Sequence, residues 1–215
     1  MARRTLERAA LAAALAILVA ACGAVPERRF YAMVNEPEGA GQKAFAATCV
    51  RTIVVPQPEI AVPYDNDRIV FRTDEYEVKY FNYDLWVSRP QDMLQQLVAR
   101  RIERARLFAS VDPQLDSARG HFTLLTTIDA LEMIAKGGVA EARLAISFQL
   151  ADSAIDQVVW RHGFDTQRPV AAKGREVRVG DMVKAVNGIY NAELDGTVQL
   201  LARFVETYPG CRPAQ

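Results

Sequence analysis

Thiols carry the clearest chemistry in this 215-residue chain, which has three: Cys22, Cys49 and Cys211. Cys22 follows two small residues, Ala20 and Ala21, at the end of an apolar run, a position that sets it apart from the other two. Cys49 and Cys211 are then an even remainder, which in an oxidising compartment suggests one disulfide. It would close a loop of about 160 residues, for which chain entropy gives roughly 5 kcal/mol; the alternative is two free or buried thiols. His121 stands at a strand start beside Gly120, and His162 shares an apolar face, so neither pairs with a cysteine or serine in a recognisable way. There is no G-x-S-x-G elbow, P-loop or H-E-x-x-H helix. Two histidines without close Cys/His spacing argue against a metal site. The acidic residues around Asp74, Glu75 and Asp84 read as a turn and a solvated strand face rather than a carboxylate dyad. The expectation is a chain with no catalytic residue, metal or cofactor.

The leader accounts for the position of Cys22. Arg3, Arg4 and Arg8 form a positive n-region, and Ala9 to Val19 an apolar h-region. The run is too short for a membrane span, which needs about 20 apolar residues. Val19-Ala20-Ala21-Cys22 resembles a bacterial lipobox, which implies cleavage before Cys22 and acylation of the new N-terminus. Each buried methylene is worth about 0.8 kcal/mol, and two or three chains together anchor stably. Residues 1–21 are thus expected to be a lipoprotein signal peptide and 22–47 a lipidated N-terminus and tether. Residues 48–215 are expected to form a single periplasmic domain.

Half of the residues are hydrophobic and 24% are charged, so a folded core is expected. Loss of the leader removes three arginines and one glutamate and leaves a mature net charge of about −2. With no basic excess, nucleic-acid binding has no electrostatic support.

Val50 to Val55 reads as a buried strand ended by Pro56 and Pro58. Arg68 to Arg72 reads as a second strand, and Tyr76 to Trp86 as a third with a bulge near Tyr80-Phe81 or burial on both faces. Ser88-Arg89-Pro90 starts a helix whose apolar stripe is Met93, Leu94, Leu97, Val98 and Ile102. Arg100, Arg101, Arg104 and Arg106 are expected mostly off that stripe, as a solvated face. Three alternating segments follow, joined by Lys136-Gly137-Gly138 and by a polar link over 152–156, as a hairpin meander. Met182 to Val205 keeps helical period until Pro209-Gly210. The expected fold is α+β, in the order β-β-β-α-β-β-β-α. It is a two-layer sandwich with an antiparallel sheet and two amphipathic helices on one face, the other face left for solvent, a partner or a second copy of the chain.

At residues 68–90, RIVFRTDEYEVKYFNYDLWVSRP, the chain resembles the PqiC-like ABC-type transport auxiliary lipoproteins. The residues concerned are Ile69-Val70 with Arg72, the aromatic strand Tyr76 to Tyr83, and Trp86 ahead of Pro90. The lipobox, Phe30-Tyr31, Ile53-Val54-Val55 and the closing helix occur in the family's order. The spacer at 36–47 and the added Cys49 depart from the pattern. The resemblance implies a non-enzymatic component of a lipid transport system, partnered with an MCE-domain protein and an ABC permease. It also implies a docking role at the outer membrane, reached through the lipid anchor. Gly23 in place of aspartate after Cys22 points to the periplasmic side of the outer membrane rather than the inner one. Tyr83 and Trp86, at the sheet-to-helix corner, are expected to be structural anchors of a docking edge. The second reading is an outer-membrane assembly or scaffold lipoprotein, such as a lipopolysaccharide-assembly or Tol-type accessory, unrelated to MCE transport.

Overall fold

The computed structural model describes residues 26–36, 45, 48–113, 121–170 and 177–212; Cys22 and the leader lie outside them. The strands are β1 (Arg29–Tyr31), β2 (Ile53–Val54), β3 (Glu59–Ile60), β4 (Arg68–Arg72), β5 (Val78–Trp86), β6 (Val111–Asp112), β7 (Phe122–Lys136), β8 (Val139–Asp152) and β9 (Gln157–Pro169). Helix α1 (Pro90–Ala105) lies between β5 and β6, and helix α2 (Val179–Thr207) follows β9. Among the described residues the architecture is mixed α+β, with one nine-stranded sheet and two α-helices.

The hairpin half follows its sequence pattern. β7 and β8 pair from Phe122↔Asp152 to Lys136↔Val139, and β9 extends the antiparallel ladder on β8. Gly137 and Gly138 turn the β7–β8 hairpin with φ of 62° and 81°, a region that glycine enters without a Cβ penalty. The side of this ladder carrying Leu124, Ile128, Leu144, Ile146, Phe148 and Leu150 is buried, and α2 packs against β8 and β9.

The expected antiparallel sheet is a mixed one, and the first half of the chain makes no meander. β2, β3 and β4 lie one after another along the same edge of β7, each parallel to it, at Phe122-Thr123, Thr127-Ile128 and Glu132 to Ile134. Pro56, Pro58 and Pro63 punctuate this stretch. Proline lacks the N–H that a continuous ladder requires, so the chain pairs in short pieces and steps forward between them. Three strands, β1, β3 and β6, were not in the expected order of elements. β6 pairs with β2 in parallel, and β1 pairs in parallel with β5. β5 itself returns antiparallel to β4, with a register shift between the Val70↔Tyr80 and Arg68↔Leu85 pairs, next to the expected Tyr80-Phe81 bulge.

Residues 29–36, read from sequence as tether, pack onto the domain. Met33 is buried, with its N–H 3.2 Å from the Met93 sulfur, and the N–H of Glu36 donates to Asn191 at 3.0 Å. In α1 the predicted apolar stripe is buried, but so is Arg101, expected on the solvated face. Its guanidinium reaches Asp195 and Asn191 of α2 at 3.1 and 3.2 Å, so the helix–helix contact is partly ionic. Arg89 rather than Ser88 occupies the N-cap, and Pro90 supplies the first turn.

Cys49 and Cys211 are joined as a disulfide, with Cα atoms 4.4 Å apart across a sequence separation of 162. It ties the segment before β2 to the 3-10 turn that ends the described chain. The N–H of Val50 also donates to the Cys211 carbonyl at 3.3 Å. Cys211→Ser is expected to lower unfolding free energy by about 2–5 kcal/mol without altering the far-ultraviolet spectrum at room temperature. Denaturant titration of oxidised, reduced and variant protein checks this; three superimposable curves would show that the bond contributes nothing.

Candidate docking edge

Two charged clusters each contain a buried carboxylate that could be mistaken for a catalytic acid. The first is centred on Glu132 of β7, which is 0% exposed. Its Oε2 accepts from the Tyr64 hydroxyl at 2.7 Å and from Arg72 Nε at 2.6 Å, and its Oε1 faces Arg143 Nη1 at 3.3 Å. Arg143 in turn holds Asp165 in a two-pronged contact at 2.8 and 2.7 Å. Arg72, Glu132, Arg143 and Asp165 lie on β4, β7, β8 and β9, so four adjacent strands each contribute one charge, with alternating sign. The Arg143 hydrogen bonds hold the Asp165 carboxyl below its ordinary range. Burial, followed by the bond to Glu132, pushes the Tyr64 hydroxyl up to about 12. Each charge has an oppositely charged partner on the neighbouring strand, which suits a strand-register clamp.

The second cluster is a structural corner beside the disulfide. Asp152, at the end of β8, accepts from Arg51 through both guanidinium nitrogens and from the Tyr208 hydroxyl at 2.9 Å. Arg51 also donates to the His121 carbonyl at 3.1 Å, and its guanidinium lies 4.1 Å from the centre of the Phe122 ring. His162 lies elsewhere, in mid-β9, 5.9 Å from the Trp160 ring. The two histidines therefore do not form a site together. Among the described residues no group of three His, Cys, Asp or Glu side chains could hold a metal ion.

The corner that the sequence singled out is built where β1 joins β5 and β5 runs into α1. Asp84, buried, fastens it. One of its oxygens takes the Tyr31 hydroxyl at 2.9 Å and Arg29 Nε at 2.8 Å, while the other takes Arg29 Nη2 at 3.0 Å. Burial and then the Asp84 bond raise the Tyr31 hydroxyl above its ordinary pKa. The ladder continues beyond β5, with the N–H of Val87 donating to the Tyr31 carbonyl at 2.8 Å and that of Trp86 to the Asp67 carbonyl at 2.7 Å. Beside it opens a cleft of about 450 Å³ lined by Phe30, Asp65, Asn66, Asp67, Trp86, Val87, Ser88 and Arg89.

The structure separates the two residues expected to act as a pair. Trp86 is 2% exposed and belongs to the core, whereas Tyr83 is 39% exposed. Strand alternation explains the split, since positions three apart in β5 point to opposite faces. Phe30 and Val87 are each 61% exposed; from sequence, Phe30 entered only as part of the Phe30-Tyr31 segment and Val87 was not singled out. An exposed aromatic cannot be told from a buried one in a three-residue strand with no period to count. The arrangement offers an apolar rim with Asp65, Asp67 and Arg89 around it, which is chemistry for contact rather than for bond making.

Two measurements follow from these clusters. Arg51 first, and then the Ala154 N–H and the Tyr208 hydroxyl, hold the Asp152 carboxyl at about 2 against an ordinary 3.8. A carboxyl depressed in the folded state stays charged where the unfolded chain has taken up a proton. Its stabilisation is therefore complete above the unfolded value and is lost as pH falls from 3.8 towards 2. Asp152→Asn should remove that part of the acid dependence while lowering stability at pH 7; parallel acid slopes for both proteins would contradict it. At the corner, Asp84→Ala should strip amide-exchange protection from Val87 by about tenfold or more while leaving β7 and β8 protected. Unchanged protection at Val87 would mean that the carboxylate does not hold β1.

Comparison with known proteins adds the family. The chain is similar in structure to a protein from Xanthomonas campestris, with 19% identity, a TM-score of 0.60 and coverage of 82% of this chain and 94% of that one. It is also similar to an uncharacterised protein at 14% identity and a TM-score of 0.60, covering 82% and 99%. At such identities the likeness establishes a shared fold. No curated protein sequence matches the chain. Residues 31–192, from β1 through the first half of α2, match the family described as the ABC-type transport auxiliary lipoprotein component, and with three quarters of the sequence inside that match the chain belongs to this family.

Proposed function

We propose that this protein is a non-catalytic, lipid-anchored component of an MCE-type lipid transport system of the PqiC-like kind. In this reading it is held on the periplasmic side of the outer membrane through Cys22 and docks the transport machinery there, which supports outer-membrane integrity. The observation that carries the reading is the family match, which describes a transport auxiliary lipoprotein and spans nearly all of the domain. It implies an ABC transporter as partner and a membrane-anchored location. The n-region, h-region, small residues and cysteine, in that order, supply the anchor, and Gly23 after Cys22 favours the outer membrane. An MCE-domain protein is the partner proposed to bridge the periplasm from the permease to this lipoprotein.

The test is crosslinking of the full-length protein in its native membranes, followed by co-purification and identification of partners by mass spectrometry. An MCE-domain protein and its permease are expected in the eluate, and both should be lost with Cys22→Ala. Recovery of an outer-membrane assembly machine with no MCE protein would overturn the transport reading in favour of a scaffold.

A further inference from the structure

The exposed apolar residues of the β1–β5 corner form a strip. Tyr83, Leu85 and Val87 occupy alternate positions, opposite in phase to Asp84 and Trp86, and Phe30 joins their phase through its pairing with Leu85. Of these, Leu85 is buried while Phe30, Tyr83 and Val87 are open to solvent. Arg28, Arg29 and Arg89, all exposed, flank them, and Asp65 and Asp67 share the adjoining cleft. Aromatic and aliphatic groups edged by arginine are the side chains that seat in the headgroup layer of an anionic bilayer.

Position in the chain supplies the second argument. Phe30 lies only eight positions after Cys22, a reach of at most about 28 Å when fully extended. β4, which connects β7 to β5 and β1, meets β7 at Glu132 to Ile134, whereas the β8–β9 turn bearing the exposed Ile155 follows Asp152, the partner of Phe122. Phe30 pairs with Leu85 and Leu85 with Arg68 at the start of β4, so the strip lies about 26 Å along β7 from that turn and on the opposite side of the sheet, with β4, β7 and β8 between them. A lipid on Cys22 thus keeps the strip within one tether length of the bilayer, while β9 lies at the other edge of the sheet.

We infer that the Phe30–Tyr83–Val87 strip is a membrane-contact surface, resting on the anionic phospholipid headgroups beside the Cys22 anchor and fixing the tilt of the domain; the inference rests on lipidation of Cys22. Its effect is orientational. With the strip seated, the lipoprotein presents the β9 edge, with the β8–β9 turn, away from the membrane.

The experiment reconstitutes the full-length, lipid-bearing protein into vesicles of phosphatidylethanolamine and phosphatidylglycerol whose acyl chains are brominated near the headgroup. Trp is introduced by Phe30→Trp, by Val87→Trp as a second probe, or by Ile155→Trp as the distant control, and each is read as the difference from the parent protein. The Phe30 and Val87 probes are expected to be quenched about five-fold more strongly than the Ile155 probe and to emit further to the blue. The N-terminal peptide is weighed in parallel. If Cys22 bears no lipid, both the lipoprotein reading and this inference fall. If Cys22 is lipidated and all three probes are quenched alike or not at all, the inference alone is overturned. Protection of Phe30 that appears only when a partner protein is added overturns it in favour of a protein docking site.

Discussion

A fifteen-residue strand has two edges of backbone donors and acceptors, and burying it requires that both be satisfied. β7 meets the requirement unevenly. One edge is taken by a single regular neighbour, β8, while the other is filled in relay by β2, β3 and β4. The rest of the architecture follows from this. The relay obliges residues 53–72 to run parallel to β7, and β5 then returns antiparallel to β4 at the far end. That leaves an outer edge on β5, which β1 fills.

Short strands carry few hydrogen bonds, so their register needs other support. Buried charge supplies it at the β4 end, where Arg72 and Tyr64 converge on Glu132, and at the β2 end, where Arg51 grips Asp152. Buried ion pairs are weak sources of net stability, but breaking one is costly, which makes them good determinants of register. A one-residue slip of β4 would turn Arg72 to the opposite face and leave Glu132 without its closest cation. At the β2 end the disulfide adds a covalent stop, so the N-terminal strand of the relay and the end of α2 are held at one corner.

This division of labour bears on function. The charged clusters are internally paired around the buried Glu132 and Asp152, while the β1–β5 corner keeps apolar groups open to solvent next to the segment that leads back to Cys22. A rigid, internally paired body with one open apolar corner is consistent with an auxiliary component of a transport family.

The local elements were legible in sequence wherever a period could be counted. The stripes of both helices, the alternation of β7, β8 and β9, the Gly137-Gly138 turn and the Cys49/Cys211 pairing were all expected from residue types and spacing. The leader and the 68–90 motif likewise carried the family resemblance without any structure. Tertiary structure decided what periodicity does not encode. Two-residue strands such as β3 and β6 have no period, and a strand's sequence does not state whether its neighbour runs parallel or antiparallel, so the sheet came out mixed. Arg101 is buried because α2 brings Asp195 and Asn191 to it, a partner some 90 residues away that no local pattern could announce. The charge ladder from Arg72 to Asp165 and the exposure of Phe30 beside Val87 arise in the same way. Each depends on which strands lie side by side, and that is settled by the whole set of backbone pairings rather than by any one segment.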